Sequence, residues 1–197
     1  MTIDSSSLID VPVIDTERLR LEPLGLGHFT GLWASLADEE SRRLTGTTES
    51  FEESQVTTWL SGLAERDDRA DWAIILRETG EFIGEVVLNE LDAEAEAMNF
   101  RIALAGAAFR GLGFGTEATR AVVDHAFDVI GLHRISLDVF DFNPSARRAY
   151  EKAGFVFEGL QRDTQFIDGA WRSSVMMAIL ADDPRPWRSE PVSADGS

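Results

Sequence analysis

The chain has no cysteine in its 197 residues, which removes a disulfide framework, a thiolate metal site and a cysteine nucleophile together. Tyrosine and lysine are almost absent too: Tyr150 is the one phenol and Lys152 the one lysine among 18 basic residues. Any step that needs a phenol therefore has a single address. No stretch reaches the roughly 18 apolar residues of a spanning helix, and the opening MTIDSSSLID offers neither a basic n-region nor an apolar h-region. A cytoplasmic soluble protein is the expectation. Positive charge is scarce, 18 basic against 35 acidic residues for a net charge of −17, which argues against a general nucleic-acid binder. Cationic partners or plain solubility remain as its meaning. His28, His125 and His133 lack metal-ligand spacing, and no metal is expected.

What is present reads as one domain. Residues 1–15 and 182–197 are expected to be flexible ends around a single unit at 16–181. Arg18–Pro23 alternates polar and apolar residues as a strand does, and helices are expected over His28–Ala37 and Phe51–Arg66. Trp72–Leu76 and Phe82–Leu88 flank a turn, and Asn99–Leu104 alternates again. A long helix is expected from Thr116 to a stop at Gly131, then a strand at His133–Phe140. Asn143 serves as N-cap with Pro144 at the first helical position, and Gly154 ends that helix. Two last strands, Phe155–Gln161 and Ser174–Leu180, flank the hairpin turn Asp168-Gly169. The order predicts a mixed α+β sheet.

Between the third of the middle strands and the long helix lies FRGLGFGTEAT, residues 109–119, with glycine at 111, 113 and 115. Glycines before a helix expose unpaired N–H groups at the positive end of the dipole, a combination that binds phosphate. A P-loop is excluded, since the lysine it requires is missing. Gly113-x-Gly115-x-x-Ala118 matches the dinucleotide-binding fingerprint, with Asp138 as the acidic residue farther on. Against an NAD-binding domain stand the absence of repeated βαβ units and the intervening residues Ala105–Phe109.

The third reading is a cradle for coenzyme A, and here the chain resembles a known family. Arg110-Gly111-Leu112-Gly113-Phe114-Gly115 resembles the [QR]-x-x-G-x-[GA] signature of the GNAT N-acetyltransferases, and Asn143 to Phe155 is similar to their N-x-x-[SA]-x-x-x-[YF]-x-x-x-G-F motif. Thr16-Glu17-Arg18-Leu19-Arg20-Leu21 and the run Gly113 to Ala118 resemble the branch that holds the ribosomal-protein-alanine acetyltransferases. The resemblance implies a GNAT fold: a seven-stranded, mostly antiparallel mixed sheet splayed between its fourth and fifth strands and flanked by about four helices. It implies an acyl-CoA-dependent N-acyltransferase with acetyl-CoA as donor and a primary amine as acceptor, either a protein N-terminus or a small amine, in a chain that can form a homodimer. The backbone of Ile102, Ala103 and Leu104 would meet the pantetheine arm. Arg110, Gly111, Leu112, Gly113, Phe114, Gly115 and Thr116 would wrap the pyrophosphate, and Asn143 would bond the pantetheine or cap its own helix.

Tyr150 falls where the family's phenol protonates the departing sulfur, and Asp138, on the strand before Asn143, falls where some relatives carry a basic glutamate. Glu85 and Asn99 are further candidates for the base, and Glu117 in the first turn of the phosphate-binding helix is expected to point away from phosphate. Trp33 and Trp59 lie on the helices that carry the acceptor site in this family. Ser173 replaces an aspartate that relatives often hold two residues after the tryptophan, here Trp171. Succinyl-CoA as donor, with Arg101 or Arg172 pairing the second carboxylate, and a non-catalytic coenzyme A sensor are the alternatives.

Overall fold

The computed structural model describes residue 3 and residues 6–188. Eight strands form one sheet: β1 (Ile14–Asp15), β2 (Leu19–Pro23), β3 (Ala70–Leu76), β4 (Glu81–Asp92), β5 (Ala97–Leu104), β6 (Arg134–Phe140), β7 (Val156–Ile167) and β8 (Ala170–Leu180). Their order is β1-β2-β3-β4-β5-β6-β8-β7, antiparallel at every step except β5–β6. Six α-helices accompany them among the described residues: α1 (Ser6–Ile9), α2 (Phe29–Leu36), α3 (Glu39–Thr45), α4 (Glu53–Gly62), α5 (Phe114–His125) and α6 (Pro144–Lys152).

The expected strands and the α+β class are present, and the eighth strand is the two-residue β1, which lies in the segment read as a flexible end. Leu8 and Ile3 in that segment are buried in the main core. At the other end, Trp187 donates from Nε1 to Asp124 at 2.9 Å and Arg185 pairs with Asp124 and Asp128. The domain thus draws on residues either side of 16–181, while 189–197 fall outside the described residues. The hairpin turn is as expected, with Asp168 and Gly169 both in the left-handed region. Asn143 caps α6 by accepting from Ala146 N at 3.1 Å, with Pro144 in its first turn.

The two sheet faces have different fates, because side chains alternate across a strand. One face carries Trp72, Val86, Leu88, Phe100, Ile135, Leu137 and Met177, all buried against α5 and α6 in the main core. The opposite face carries Asp71, Glu85, Asn99, Arg101 and Asp138, and near β3 a smaller core of Leu24, Leu32, Val56, Leu60 and Ala73 lies beneath α2 and α4. A polar sheet face under a partial cover is a place for a ligand. At the far edge β7 and β8 leave Phe157, Leu160, Phe166 and Trp171 exposed.

Pairing between β5 and β6 covers only Ala97, Met98 and Asn99 against Arg134, Ile135 and Ser136. Beyond those residues β5 stays on β4 up to Leu104 and β6 stays on β8 up to Phe140. The sheet therefore opens as a V with β5 and β6 as its arms. Near the open end β4 bulges opposite Ile74 and Ile75, and Gly84 takes φ +152 there, where a Cβ would run into the Ala103 carbonyl oxygen. A bulge beside a cleft re-aims the next side chain, and the next one is Glu85. Gly84→Ala should lower stability by about 3 kcal/mol, since it adds a steric clash to an unfavourable backbone region. A denaturation midpoint within error of the wild type would contradict that.

Candidate active site

The V opens into a cavity of about 530 Å³. Its wall includes Gly111, Gly113, Gly115 and Thr116 at one end, Ile102, Ala103, Leu104, Asp138, Asn143 and Tyr150 along the splay, and Trp59, Asp71, Glu85 and Arg101 on the polar sheet face. Most of the sequence-nominated residues meet in this one space, but Phe114 is buried in the main core, Leu112 is exposed to solvent, and neither they nor Trp33, Arg172 and Ser173 line it. Asn99, a weaker candidate for the base, instead donates from Nδ2 to Asn89 at 2.9 Å.

At the glycine end, Gly113 is the N-cap of α5 with φ +87, and Gly111 has φ +76. Both conformations suit glycine. Nothing lies within 4 Å of where a Cβ on Gly111 would sit, and only Leu104 Cδ1, at 3.8 Å, approaches that of Gly115. The first-turn N–H groups of α5 thus border open, side-chain-free space, the arrangement that a pyrophosphate requires.

The loop keeps this shape through Glu117. Its carboxylate accepts from the Thr16 hydroxyl at 2.6 Å, the Arg18 backbone N–H at 2.8 Å and Arg18 Nε at 2.7 Å. Arg18 also donates from Nη1 to the Leu112 carbonyl at 3.0 Å and lies 4.6 Å from the centroid of the Phe114 ring. Burial pushes the Glu117 carboxyl up, but the bonds from Thr16 and Arg18 outweigh it and hold the group below its ordinary range. Glu117 points away from the phosphate end, as expected. The Thr16 and Arg18 stretch and the Gly113 to Ala118 stretch are two halves of one clasp.

Arg110 lines the same cavity, with its guanidinium already paired. Its Nη2 donates to Ser41 Oγ and to Asp38 Oδ1 at 3.2 Å, and Ser41 Oγ donates to the Leu104 carbonyl at 3.2 Å. Asp38 is the N-cap of α3, accepting from Ser41 N at 2.7 Å, and Gly46 ends that helix with φ +68. The apolar periodicity predicts no helix here, although Asp38, two acidic first-turn residues and a glycine stop are its signals. From α3, Leu44 and Thr45 line the cavity. Gln165 from β7 donates to the Gly46 carbonyl at 2.9 Å and Arg43 pairs with Asp168 at 3.0 Å, tying this wall to the β7–β8 hairpin. Ser173, the substituted position, accepts at Oγ from Asp163 N at 3.2 Å.

Two titratable groups stand at the centre. Tyr150 is buried, its ring edge-on to Phe100 at 6.2 Å and tilted against Phe155 at 6.0 Å. Burial, then the Asp138 carboxylate, pushes its phenol up, with Arg101 opposing, so it keeps its proton throughout the neutral range. Glu85 is pushed up to about 7, first by burial and then by Asp71, while Arg101 and Arg69 pull it down. Its Oε2 is buried with no hydrogen-bond partner. Asp71 differs, because Arg69 grips it with two bonds of 2.6 Å and lies 5.6 Å from the centroid of the Trp59 ring. Asp138 is exposed at the splay. A carboxyl poised near neutrality and a protonated phenol on the wall of one cavity are what acid–base chemistry at pH 7 asks for.

Comparison with known proteins gives the same direction. Residues 18–156 match the family model for the acetyltransferase (GNAT) domain. The chain is 36% identical over 119 residues to Probable N-acetyltransferase YjcK of Bacillus subtilis (strain 168), a match covering 60% of this chain and 66% of that protein. It is 30% identical over 113 residues to the spermidine N(1)-acetyltransferase of Escherichia coli (strain K12), covering 57% and 60%. The chain thus spans just under two thirds of these relatives' length. The fold also superposes on the Vibrio cholerae spermidine N-acetyltransferase in complex with CoA and spermine, with TM-score 0.79 at 22% identity over 85% of this chain and 98% of that one.

The unusual ionisation of Glu85 makes a prediction independent of activity. The native state holds this proton to about pH 7, whereas an unperturbed glutamate loses it near 4.5. Between those values the native state binds more protons than the unfolded one, so the contribution to stability is complete below about 4.5 and is lost as pH rises through about 7. Glu85→Gln should leave the melting midpoint unaltered at acid pH and raise it at pH ~8, by the equivalent of at most about 3 kcal/mol. The same difference at both pH values would contradict a desolvated carboxyl.

Proposed function

The chain belongs to the GNAT acetyltransferases, and from this premise we propose that it is an N-acetyltransferase that passes acetyl from acetyl-CoA to a small primary amine by direct attack in a ternary complex. The observation that carries the reading is the continuity of one cavity from the side-chain-free mouth of α5, through the splay, to Glu85 and Tyr150. Main-chain N–H groups from Gly111 to Thr116 would hold the pyrophosphate, and Arg110 would join them by leaving Asp38. The unpaired edge of β5 at Ile102, Ala103 and Leu104 would position the pantetheine arm, with the Asn143 amide at the opposite wall.

Glu85 then accepts a proton from the acceptor ammonium, directly or through one water. The freed amine forms the new N–C bond at the thioester carbonyl, the C–S bond breaks, and Tyr150 gives its proton to the departing sulfur. The nitrogen sheds its second proton as the amide forms, which reprotonates Tyr150 through water, and Glu85 releases the proton it took to solvent. Holding amine and thioester together supplies a large part of the acceleration, because effective concentration alone can be worth several kcal/mol. Without cysteine, no thiol is available to carry the acyl group, which favours direct transfer. Asp138 is the rival base, since it faces Tyr150 across the splay. The E. coli relative's name supports a small amine in preference to a protein N-terminus.

Gly115→Asp should abolish acetyl-CoA binding in titration calorimetry while leaving the far-ultraviolet circular dichroism unaltered, because Gly115 lines the cavity in the first turn of α5 with room for a side chain, and a carboxylate there would repel phosphate. Retained affinity would refute the cradle. For the chemistry, Tyr150→Phe should lower kcat at least tenfold with little effect on donor binding. Glu85→Gln should abolish the rise of kcat/KM with an apparent pKa near 7, whereas Asp138→Asn should preserve it. The reverse result would make Asp138 the base.

A further inference from the structure

Two cations stand on the polar sheet face of the cavity, Arg69 and Arg101. Arg69 is fully committed to Asp71. The Arg101 side chain is exposed and has no hydrogen-bond or ion-pair partner among the described residues. It nevertheless lies close enough to Glu85 and Tyr150 for its charge to act on both. In the β4–β5 register Val87 faces Arg101 and Ala103 faces Glu85, so Glu85 and Arg101 are diagonal neighbours on one face, roughly 7–8 Å apart at the backbone. Across the splay, Asp138 occupies the corresponding position on β6, two residues beyond the last β5–β6 pair.

An uncommitted guanidinium is a fork of donors matched to a carboxylate. A polyamine would bring a second ammonium toward that charge, and of the carboxylates on this face Asp71 is already neutralised, Glu85 is occupied with proton transfer and Asp138 stands on the other arm of the splay. An amine that carries its own carboxylate a few bonds away fits both residues at once. We propose that Arg101 forms a carboxylate-binding subsite that selects amino-acid-like acceptors, the amine meeting Glu85 and the carboxylate meeting Arg101. The inference rests on the acyltransferase reading. The same chemistry could reach Arg101 from the donor side, as the distal carboxylate of a succinyl group.

The test is titration calorimetry of wild type, Arg101→Gln and Arg101→Lys, each checked for an unaltered melt. In one arm, N-acetylated α- to γ-amino acids and their carboxamides are titrated with and without CoA. In the other, succinyl-CoA is compared with acetyl-CoA. The wild type should bind a carboxylate at least tenfold tighter than its carboxamide, Arg101→Gln should reduce that ratio below twofold, and Arg101→Lys should restore part of it. A preference confined to succinyl-CoA and lost in Arg101→Gln would keep the subsite and assign it to the donor. Equal affinities in both arms, or a preference that survives Arg101→Gln, would overturn it. CoA binding is read in the same titrations, so a failed donor site is told apart from a failed subsite.

Discussion

Everything at the site depends on the early end of hydrogen bonding between β5 and β6. Three residue pairs join the two strands, and then each stays with its other neighbour. The right-handed twist of a sheet rotates successive strands relative to one another, so two antiparallel halves joined at one end diverge at the other. The V exposes the edge of β5, gives Tyr150 a route from α6 to the polar face, and sets Arg101 and Asp138 on opposite arms. A sheet paired along its whole length would have none of these.

The second requirement is a glycine loop that keeps an open shape without side chains to brace it. Glycine-rich backbone carries a large entropy cost when it is ordered, and here the ordering contacts come from a residue outside the loop. Arg18 bonds the Leu112 carbonyl, covers the Phe114 ring and pairs with Glu117. Because Thr16 and Arg18 precede β2, the loop is fixed to the opposite end of the domain's chain. The open space at its mouth is therefore preorganised, which lowers the cost of binding a phosphate.

Electrostatics divides the cavity by role. At the glycine end, backbone N–H groups and a helix terminus favour anions. On the sheet face, Asp71 is cancelled by Arg69, Glu85 is raised toward neutrality, and Arg101 is left over. Desolvation is the dominant cause for both Glu85 and Tyr150, and it acts in the same sense on each, favouring the neutral form. One fold environment thus yields a carboxyl that can lose its proton near pH 7 and a phenol that keeps its own.

The sequence by itself determined the strand and helix order, the cap at Asn143, the turn at Asp168-Gly169 and the glycine loop, because these follow from local periodicity and backbone preference. It also named most of the residues that line the cavity's glycine end. Seven-residue α3, marked by Asp38 and Gly46, is too short to show apolar periodicity, so only its N-cap and stop signal it. The Arg69–Asp71 pair, the bond from Arg110 to Ser41 and the partnership of Thr16, Arg18 and Glu117 join residues close or distant in sequence whose geometry no spacing encodes. Most of all, Glu85 and Asp138 are equivalent in a sequence, each an acid alternating with apolar neighbours on a strand. Only the tertiary structure separates them, since a carboxyl's proton affinity is set by what surrounds it, and Glu85 is enclosed beside Asp71 while Asp138 meets solvent at the splay.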